Sequence, residues 1–356
     1  MNLKSFLPKR KVLSIDLGSY ETKVVEGKDT KKGINVYNYF SIPTPKDAYI
    51  NGEILDKELL TYTLSQEFKK RKVKTKNVHL TINSSSIITR EVIIPKVEEE
   101  EIESILKFQI EEYIPMDSED YIIQFKTIGP IYEENIEKLN ILLIAIPKKI
   151  VESHFQLIKD LDLNPQVLDY QSNSIAKLIN YNSYVNGTYP IENLTFAAID
   201  IGYDSSKIAI IKNDTIMVSR IVDLGTKHMD QNILNFFEYN LEVLEEKKLE
   251  IRNINHIDDE HDDYNRLVKL VRNSIENLND KIEIIFRYYL TRDIDNKIDM
   301  ILLYGGGTGI KGISNFFTNY FNIPSLTIQS FDNIKFNGEI HKYINSIGAI
   351  IRNTEV

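Results

Sequence analysis

The chain has 356 residues, of which 42% are hydrophobic and 27% are charged, as in an ordinary soluble globular protein. This length predicts two domains or one duplicated fold. The formal net charge of −9 argues against a general nucleic-acid binder, which needs a basic surface, and the lack of cysteine excludes disulfides and cysteine-ligated metals.

The sequence carries no sign of a membrane or export segment. No uninterrupted apolar run approaches the roughly 20 residues needed to span a bilayer. The segment Met1–Lys11 has some basic charge but no apolar stretch of signal-peptide length. We therefore expect a cytoplasmic protein that could still reach a membrane through a partner.

Two apolar segments share one pattern, in which an aspartate is followed by a glycine and then by a lysine. Asp16 and Lys23 belong to the first segment, and Asp200 and Lys207 follow them 184 residues later. Each segment is predicted to be a strand, a tight turn at glycine and a second strand. This distance indicates a duplicated lobe, because solenoid repeats have periods of roughly 20–50 residues.

Between the two segments, the spacing of apolar residues predicts a mixed α/β region. In chain order the predicted elements are a helix at 59–72, strands at 78–82 and 87–94, a helix from the acidic run at 98–101 to Pro115, strands at 121–128 and 139–146, and a helix at 150–161. The block from about 85 to 165 is therefore predicted to form a compact α+β insert.

The polar stretch at 181–190 marks the expected boundary between the lobes. Beyond the second repeat the predicted elements are helical segments within 229–248, one long helix at 268–289, a strand at 300–304, a glycine run at 305–309, a helix from about 313 and a short helix at 343–351. The long helix is predicted from apolar residues at a three-then-four spacing, which buries one stripe.

The first turn has residue types that suit a phosphate group. Gly18 lets backbone N–H groups approach phosphate oxygens, and Asp16 at the strand end can hold hydrated magnesium. Ser19 can donate a hydrogen bond to phosphate, and Lys23 supplies positive charge. Taken alone, the segment favours a plain β-hairpin with a polar tip.

The second turn repeats this chemistry with Asp200, Gly202, Ser205 and Ser206, followed by Lys207. Two facing hairpins can clamp terminal phosphates from opposite sides. A pair separated by a whole lobe is much harder to explain as chance than one Asp-x-Gly match.

A third element is the glycine run after the predicted strand at 300–304. Gly305, Gly306, Gly307 and Thr308 lead from this strand towards a helix. Without side chains, a planar base or sugar can lie against the backbone, and a helix N-terminus favours phosphate. Alone, the motif is equally a flexible loop after a core strand.

In this order, the two phosphate turns and the glycine loop resemble the actin-like ATPase superfamily, which includes actin, DnaK-type chaperones, sugar kinases and FtsA. The helix that begins near Gln171 resembles its first connecting helix. The terminal Ile347–Ala349 looks like the second, where small residues let two helices cross. The resemblance implies an α/β fold of two duplicated ribonuclease-H-like lobes that hold magnesium ATP in the cleft between them.

Within the superfamily, the chain resembles the PilM family of type IV pilus assembly proteins. The stretches that carry this likeness are Lys11–Glu26, Ile94-Pro95 with the acidic helix and Glu111–Pro115, Val167–Leu178 and the glycine loop. The insert motif is the most specific of them. The implied division is a first lobe at 1–180 (core about 1–84 and 166–180, insert about 85–165), a second lobe at 181–340, and a C-terminal helix at 341–356 that returns to the first lobe.

The resemblance implies a cytoplasmic, ATP-binding assembly platform that is recruited to the inner face of the membrane by a partner. Asp16 and Asp200 are the implied magnesium ligands, through water, and Gln171 would position a water.

The implied partner is the N-terminal tail of a PilN-like inner-membrane protein. The tail would lie in a groove between the first lobe and the insert, and the residues implied for it are Ile87, Ile102, Ile105 and Tyr113. The pilus motor ATPases are further implied partners; nucleic acid and direct membrane insertion are not expected.

Two residues depart from the family pattern and argue against fast hydrolysis. Asp204 lies in the second turn, where the family has a small residue, and it would repel a terminal phosphate unless magnesium screens it. Gln171 stands where many bacterial actins have glutamate, and glutamine can orient a water but cannot act as a general base. We therefore expect at most a slow ATPase.

Two other functions stay open at this stage. A kinase or faster ATPase of the same fold would need a catalytic aspartate, for which Asp204 is the only obvious candidate. An FtsA-like filament protein would carry a C-terminal amphipathic anchor, which we do not expect here because the chain ends at Val356, soon after the second connecting helix. A role in a related type II secretion system also stays open.

Overall fold

A computed structural model describes residues 10–114, 118–133, 136–213, 215–256 and 262–352. These residues form two lobes around two large mixed sheets, and a three-stranded sheet is attached to the first lobe. Pro115 of the insert motif and the outermost residues of the expected division, 1–9 and 353–356, lie outside the described residues.

The predicted elements up to residue 181 are present in the predicted order, together with strands at 33–43, 49–50, 53–54 and 164–170 that the sequence did not predict. The strands are β1 (Val12–Asp16), β2 (Glu21–Thr30), β3 (Gly33–Pro43), β4 (Tyr49–Ile50), β5 (Glu53–Ile54), β6 (Asn77–Ile82), β7 (Ile88–Pro95), β8 (Tyr121–Glu133), β9 (Ile136–Pro147) and β10 (Asn164–Tyr170). The helices are α1 (Lys57–Lys70), α2 (Glu99–Phe108), α3 (Ile110–Tyr113), α4 (Lys148–Asp160) and α5 (Gln171–Tyr181).

The remaining elements build the second lobe and return to the first. The strands are β11 (Tyr184–Val185), β12 (Tyr189–Pro190), β13 (Thr195–Ile201), β14 (Ser206–Lys212), β15 (Thr215–Val222), β16 (Met300–Tyr304), β17 (Ser325–Thr327) and β18 (Ile334–Lys335). The helices are α6 (Thr226–Phe237), α7 (Leu241–Glu250), α8 (Asp263–Leu290), α9 (Ile313–Phe321) and α10 (Ile344–Gly348).

The two large sheets share a five-strand topology, to which the first sheet adds β18 at one edge. The first has the order β10-β6-β1-β2-β3-β18 and the second has the order β15-β14-β13-β16-β17. In each, three consecutive strands pair antiparallel, and the first of them also pairs with a parallel strand, β6 or β16. The register is repeated too, since Asp16 lies opposite Lys23 and Asp200 lies opposite Lys207. The duplicated lobe predicted from the sequence is therefore confirmed.

The insert is a three-stranded antiparallel sheet of order β7-β9-β8, covered on one face by α2 and α3. The single helix predicted up to Pro115 is broken at Gln109, whose backbone has left helical geometry (φ −101°, ψ 7°). The break lets Leu106, Ile110 and Ile114 all reach the insert core. On the other face of the sheet, Leu142 joins the central core of the molecule.

Two elements cross the expected lobe boundaries. Helix α4, which the expected division places in the insert, buries Leu157 and Ile158 in the core of the first lobe. Strand β18 lies within the range expected for the second lobe but pairs in parallel with β3 of the first sheet. The division itself stays a prediction, and this packing indicates that the insert proper is closer to β7–β9.

Buried His154 makes the stability of the first lobe depend on pH. Its Nδ1 lies 2.7 Å from the carbonyl oxygen of Ile150 and donates to it, so Nε2 accepts from the hydroxyl of Tyr49 at 3.2 Å. Burial lowers the pKa of His154 to about 4 from its ordinary 6.5 and raises that of Tyr49. The neutral imidazole is therefore the form that the fold requires.

We expect this histidine to destabilise the protein in acid. Below an ordinary pKa of 6.5 the unfolded chain takes up the proton first, so stability is lost as the pH falls towards about 4, by roughly 2–3 kcal/mol. Urea unfolding at neutral and acidic pH should show a smaller loss for His154→Gln than for the native chain. The exposed His228→Gln is the control, and an unchanged loss in His154→Gln would contradict the assignment.

Candidate functional site

A cleft of about 800 Å³ lies between the lobes, at the carboxyl ends of β1 and β13. Its walls include the β1–β2 turn, the β13–β14 turn and the loop that follows β16. The three motifs that the sequence singled out therefore meet in one place. Because β1 and β13 are the central strands of the same repeated fold, the two turns approach the cleft from opposite lobes.

Both turns need glycine because the backbone folds back on itself. A Cβ on Gly18 would lie 2.7 Å from the carbonyl oxygen of Glu21, and a Cβ on Gly202 would lie 2.6 Å from that of Ser205. The Nζ atoms of Lys23 and Lys207 lie 3.7 and 3.0 Å from these same positions. Each turn therefore places one lysine ammonium group close to the backbone of its glycine, where no side chain intervenes.

The two predicted magnesium ligands are buried and share one neutral donor. Asp16 and Asp200 are 5% and 4% exposed. The amide nitrogen of Asn345, on α10, lies 3.4 Å from Asp16 Oδ2 and 3.2 Å from Asp200 Oδ2. Asn345 thus bridges the lobes. The sequence did not predict this role, and its only signal was a pair of polar residues, Asn345 and Ser346, in a short and otherwise apolar helix.

The carboxylate of Asp16 has two further partners. The amide of Gln171 donates to its Oδ1 at 2.7 Å, and the hydroxyl of Thr81 donates to the same atom at 2.8 Å. On the other side of the cleft, Lys207 lies 3.7 Å from Asp200 Oδ2. These three hydrogen bonds to Asp16 all come from neutral donors, so no ion pair with a described residue is seen to balance its negative charge.

The donor set fits a hard, oxygen-preferring cation. Besides the two carboxylates, Oε1 of Gln171 and Oδ1 of Asn345 are buried acceptors with no hydrogen-bond partner among the described residues. Mg²⁺ takes oxygen ligands and usually keeps several waters. No group of three or more His, Asp or Glu side chains in the described ranges could hold a metal alone. The residues present therefore fit an ion held through water and a ligand's phosphates, not a protein cage.

The glycine loop is shaped by two close approaches. Gly305 has φ +92°, and a Cβ there would overlap Oδ1 of Asp200. A Cβ on Gly307 would overlap the side chain of Ile201. In contrast, Gly306 and Gly309 have no atom within 4 Å of where a Cβ would lie, so their backbone is exposed to the open space of the cleft.

Most of the residues predicted to bind a cofactor line the cleft, and two do not. Those that do are Asp16, Gly18, Ser19, Lys23, Asp200, Gly202, Ser205, Gly305, Gly306 and Gly307. Ser206 is buried and donates to the carbonyl oxygen of Leu224 at 2.7 Å. Thr308 is buried and donates to that of Gly305 at 2.8 Å. The structure thus places these two hydroxyls in backbone contacts.

Asp204 does not face a phosphate site unopposed. Lys227, at the start of α6, lies 3.0 Å from its Oδ1, and this hydrogen bond raises the pKa of the lysine. The repulsion expected from the sequence is therefore offset inside the protein. On α7, Glu245 and Lys248 also line the cleft, and they pair with each other at 2.8 Å.

The residues predicted to bind a partner lie in the insert region, with different exposure. Ile87 is in the turn before β7, and Ile105 and Tyr113 lie partly buried against the insert sheet. Ile102 is 2% exposed and belongs to the insert core. Its side chain therefore supports the α2 surface from within and does not lie on it.

One ion pair ties the insert to the second lobe. Arg292, just after α8, donates to both carboxylate oxygens of Glu91 on β7, at 2.5 and 2.6 Å. Its guanidinium also lies 5.5 Å from the ring centre of Tyr288. Asn140 on β9 donates to Glu91 at 3.4 Å. Glu91 and Arg292 are 201 positions apart in the sequence, so no local pattern could have predicted their contact.

Two ribonuclease-H-like lobes with the same five-strand topology, with facing turns and a glycine loop around one cleft, define a protein of the actin-like ATPase fold. More narrowly, the chain belongs to the family of the type IV pilus assembly protein PilM, whose family model matches residues 14–346. The family expected from the motifs is therefore confirmed.

Solved structures support the fold at low sequence identity. A PilM–PilN type IV pilus biogenesis complex has 18% identity and a TM-score of 0.77, with 96% of this chain and 98% of that chain covered. The ethanolamine utilization protein EutJ from Carboxydothermus hydrogenoformans has 13% identity and a TM-score of 0.56, with 97% and 90% covered. MreB5 of Spiroplasma citri bound to ADP has 15% identity and a TM-score of 0.52, with 91% and 93% covered.

No helix among the described residues is both long and apolar enough to cross a membrane. The longest, α8, spans 28 residues but carries a polar face along its length.

The glycine loop gives a direct test of the site geometry. Gly305→Ala adds a methyl group where φ is positive and Asp200 is in the way, so we expect a loss of roughly 2–4 kcal/mol in unfolding free energy. Gly306→Ala is the matched control, because its methyl group would meet open space, and we expect a change below about 1 kcal/mol. Chemical denaturation measures both, and equal losses would show that the loop has another conformation.

Proposed function

We propose that this protein is a nucleotide-dependent assembly platform of a type IV pilus machine. In this role it binds magnesium ATP in the cleft and the N-terminal tail of a PilN-like inner-membrane protein on its first lobe. The observation that carries the proposal is the bridge from Asp16 through Asn345 to Asp200, which brings two buried carboxylates from different lobes to one point. Family membership supplies the pilus context.

The cleft residues divide into three tasks. Asp16 and Asp200 would hold a hydrated magnesium ion, and the orphan oxygens of Gln171 and Asn345 can accept from its waters. When bound, the ion supplies positive charge against the phosphates. The two turns present backbone N–H groups to these phosphates, and Lys23 adds charge from the first lobe. The open backbone at Gly306 and Gly309 would carry the base and sugar.

Gln171 would orient a water without removing its proton. Its amide nitrogen donates to Asp16, which leaves Oε1 as a buried acceptor with no partner among the described residues, and Gln171 lines the cleft. Glutamine has no basic group at neutral pH, so this arrangement supports at most slow hydrolysis. We therefore propose that binding of the nucleotide, and not its hydrolysis, controls the function of the protein.

The proposed partner site is the groove between the first lobe and the insert. Ile87, Ile105 and Tyr113 are partly exposed and would contact an apolar or extended tail, and Ile102, buried in the insert core, would support α2 from within. The solved PilM–PilN complex supports this choice of partner. Binding to an inner-membrane tail would recruit the protein to the cytoplasmic face of that membrane, where the pilus motor ATPases are further candidate partners.

The ion pair between Glu91 and Arg292 offers a route from the cleft to the groove. Arg292 follows α8, and Val271 of the same helix lines the cleft. Closure of the second lobe around a nucleotide would therefore act on β7, the strand beside the groove. This contact supports partner affinity that follows the nucleotide state by population shift.

A kinase finds less support in the structure. Its candidate catalytic base, Asp204, is held by Lys227 in an ion pair, so one of its carboxylate oxygens is already occupied. Nucleotide turnover that depends on an added sugar would favour the kinase over the platform.

We expect Lys23→Ala to weaken binding of magnesium ATP by about 10- to 100-fold, the cost of one charge-assisted phosphate contact. Isothermal titration calorimetry measures the change. Lys28→Ala is the control, because this lysine lies on the same strand but does not line the cleft. Native affinity in Lys23→Ala, or absence of binding by the native chain, would refute the proposed nucleotide site.

We expect the tail peptide to bind several-fold more tightly with magnesium ATP present, and Arg292→Gln to remove most of that difference. Nucleotide affinity should stay unchanged, since Arg292 does not line the cleft. Arg287→Gln, which breaks an exposed pair with Glu283 on the same helix, is the matched control. An equal nucleotide effect in both variants would exclude this ion pair as the link.

A further inference from the structure

One edge of the first lobe is strongly basic, although the whole protein is acidic. The segment 69–76 contains six basic residues, and two more begin the described chain. All eight are exposed, and we call them the basic edge: Arg10, Lys11, Lys69, Lys70, Arg71, Lys72, Lys74 and Lys76. The formal net charge of the protein is −9, so this edge is opposite in sign to the molecule that carries it.

The two parts of the basic edge are joined through a single carboxylate. Glu26 on β2 pairs with Lys11 at 2.9 Å and accepts a hydrogen bond from the hydroxyl of Thr75. The parallel pairing of β1 with β6 brings the starts of both strands to the same end of the sheet. The eight charges therefore form one continuous surface.

Few acidic groups oppose this surface. Glu67 pairs with both Lys70 and Arg71, at 3.4 and 3.1 Å, and Lys76 donates to the backbone carbonyl of Asp162 at 2.9 Å. Lys69, Lys72 and Lys74 make no ion pair with any described residue. The basic edge therefore keeps a net positive charge.

Helix termination accounts for only part of this charge. Lys69 and Lys70 lie in the last turn of α1, where cations stabilise a helix end. Lys72, Lys74 and Lys76 come after the helix, in the loop to β6, and the macrodipole gives no reason for them. Like charges this close repel one another, so they cost stability unless something outside the chain balances them.

The basic edge and the cleft lie at opposite ends of β1. Lys11 precedes this strand and Asp16 ends it, and five extended residues separate the two ends by about 16 Å. This exceeds the Debye length of about 8 Å at physiological ionic strength. A negatively charged surface at the basic edge would therefore be attracted locally, without strong repulsion from the acidic groups of the cleft.

We propose that the basic edge docks onto an anionic phospholipid surface. This rests on the proposed function, which brings the protein to the inner face of a membrane. Six of the eight side chains are lysines, whose flexible stems suit a fluid layer of headgroups that has no fixed geometry. The segment 69–76 has no aromatic residue on which a nucleic-acid base could stack. The exposed ring beside the other part of the edge, that of Tyr37, already has the ammonium group of Lys11 4.9 Å from its centre. Docking at this edge leaves the cleft facing the cytoplasm.

The experiment is co-sedimentation of the purified full chain with vesicles. We expect binding to mixed phosphatidylcholine and phosphatidylglycerol vesicles, none to phosphatidylcholine alone, and a steep loss with added salt. Combined replacement of Lys69, Lys72 and Lys74 by glutamine should lower the partition coefficient by about 10- to 100-fold. The matched control replaces Lys149, Lys281 and Lys311, which are exposed lysines elsewhere, and should keep nearly native binding.

Four results would overturn the proposal: no binding of the native chain to anionic vesicles, equal binding to neutral vesicles, equal losses in both triple variants, or tighter binding to single-stranded RNA than to vesicles. Salt-resistant binding would instead indicate an inserted anchor and would also count against it. Titrations of the edge variant in solution with magnesium ATP and the tail peptide should remain native. These titrations test the proposed function separately, because they contain no lipid.

Discussion

The cleft depends on one constraint, which is that two carboxylates from different lobes are buried at one point. Buried charges of like sign are unfavourable unless donors or a cation compensate them. The protein supplies neutral donors to Asp16 and a distant ammonium to Asp200, and one amide, Asn345, serves both. This leaves negative charge at the meeting point of the lobes, so a bound cation would stabilise the closed form. The two turns, the glycine loop and α10 all surround these two carboxylates.

Helix α10 can reach both carboxylates because it crosses α5 closely. A Cβ on Gly348 would overlap the backbone of Ser174, so this crossing requires glycine. The same crossing places Asn345 between the lobes and holds Gln171, at the start of α5, beside Asp16. The small residues noted in the terminal segment thus have a definite role. They set the distance between two helices that together carry the polar side chains of the cleft.

The sequence was sufficient to predict features that are repeated in the chain or that involve residues close together in it. The repeat of Asp16 and Lys23 in Asp200 and Lys207 predicted the duplicated sheets, and the glycines predicted the close backbone approaches. It was insufficient for contacts between distant segments. Asn345, Lys227 and the pair of Glu91 with Arg292 were missed, because their partners are set by packing. The hydroxyls of Ser206 and Thr308 donate to nearby backbone carbonyl groups and do not line the cleft. Residue type alone could not show this, because a hydroxyl can bind the backbone as readily as a ligand.

The structure also limits how strong a nucleotide switch can be. A partly exposed ion pair such as that of Glu91 with Arg292 contributes about 1 kcal/mol, which corresponds to roughly a fivefold change in affinity. A larger effect on the partner groove would have to pass through the packed face of the insert, where Leu142 shares a core cluster with Ile175 of α5. Because α5 also carries Gln171, that cluster connects the cleft to the insert through rigid contacts. The ion pair would therefore carry the several-fold response expected of the groove, and only a larger response would need the packed contacts of α5.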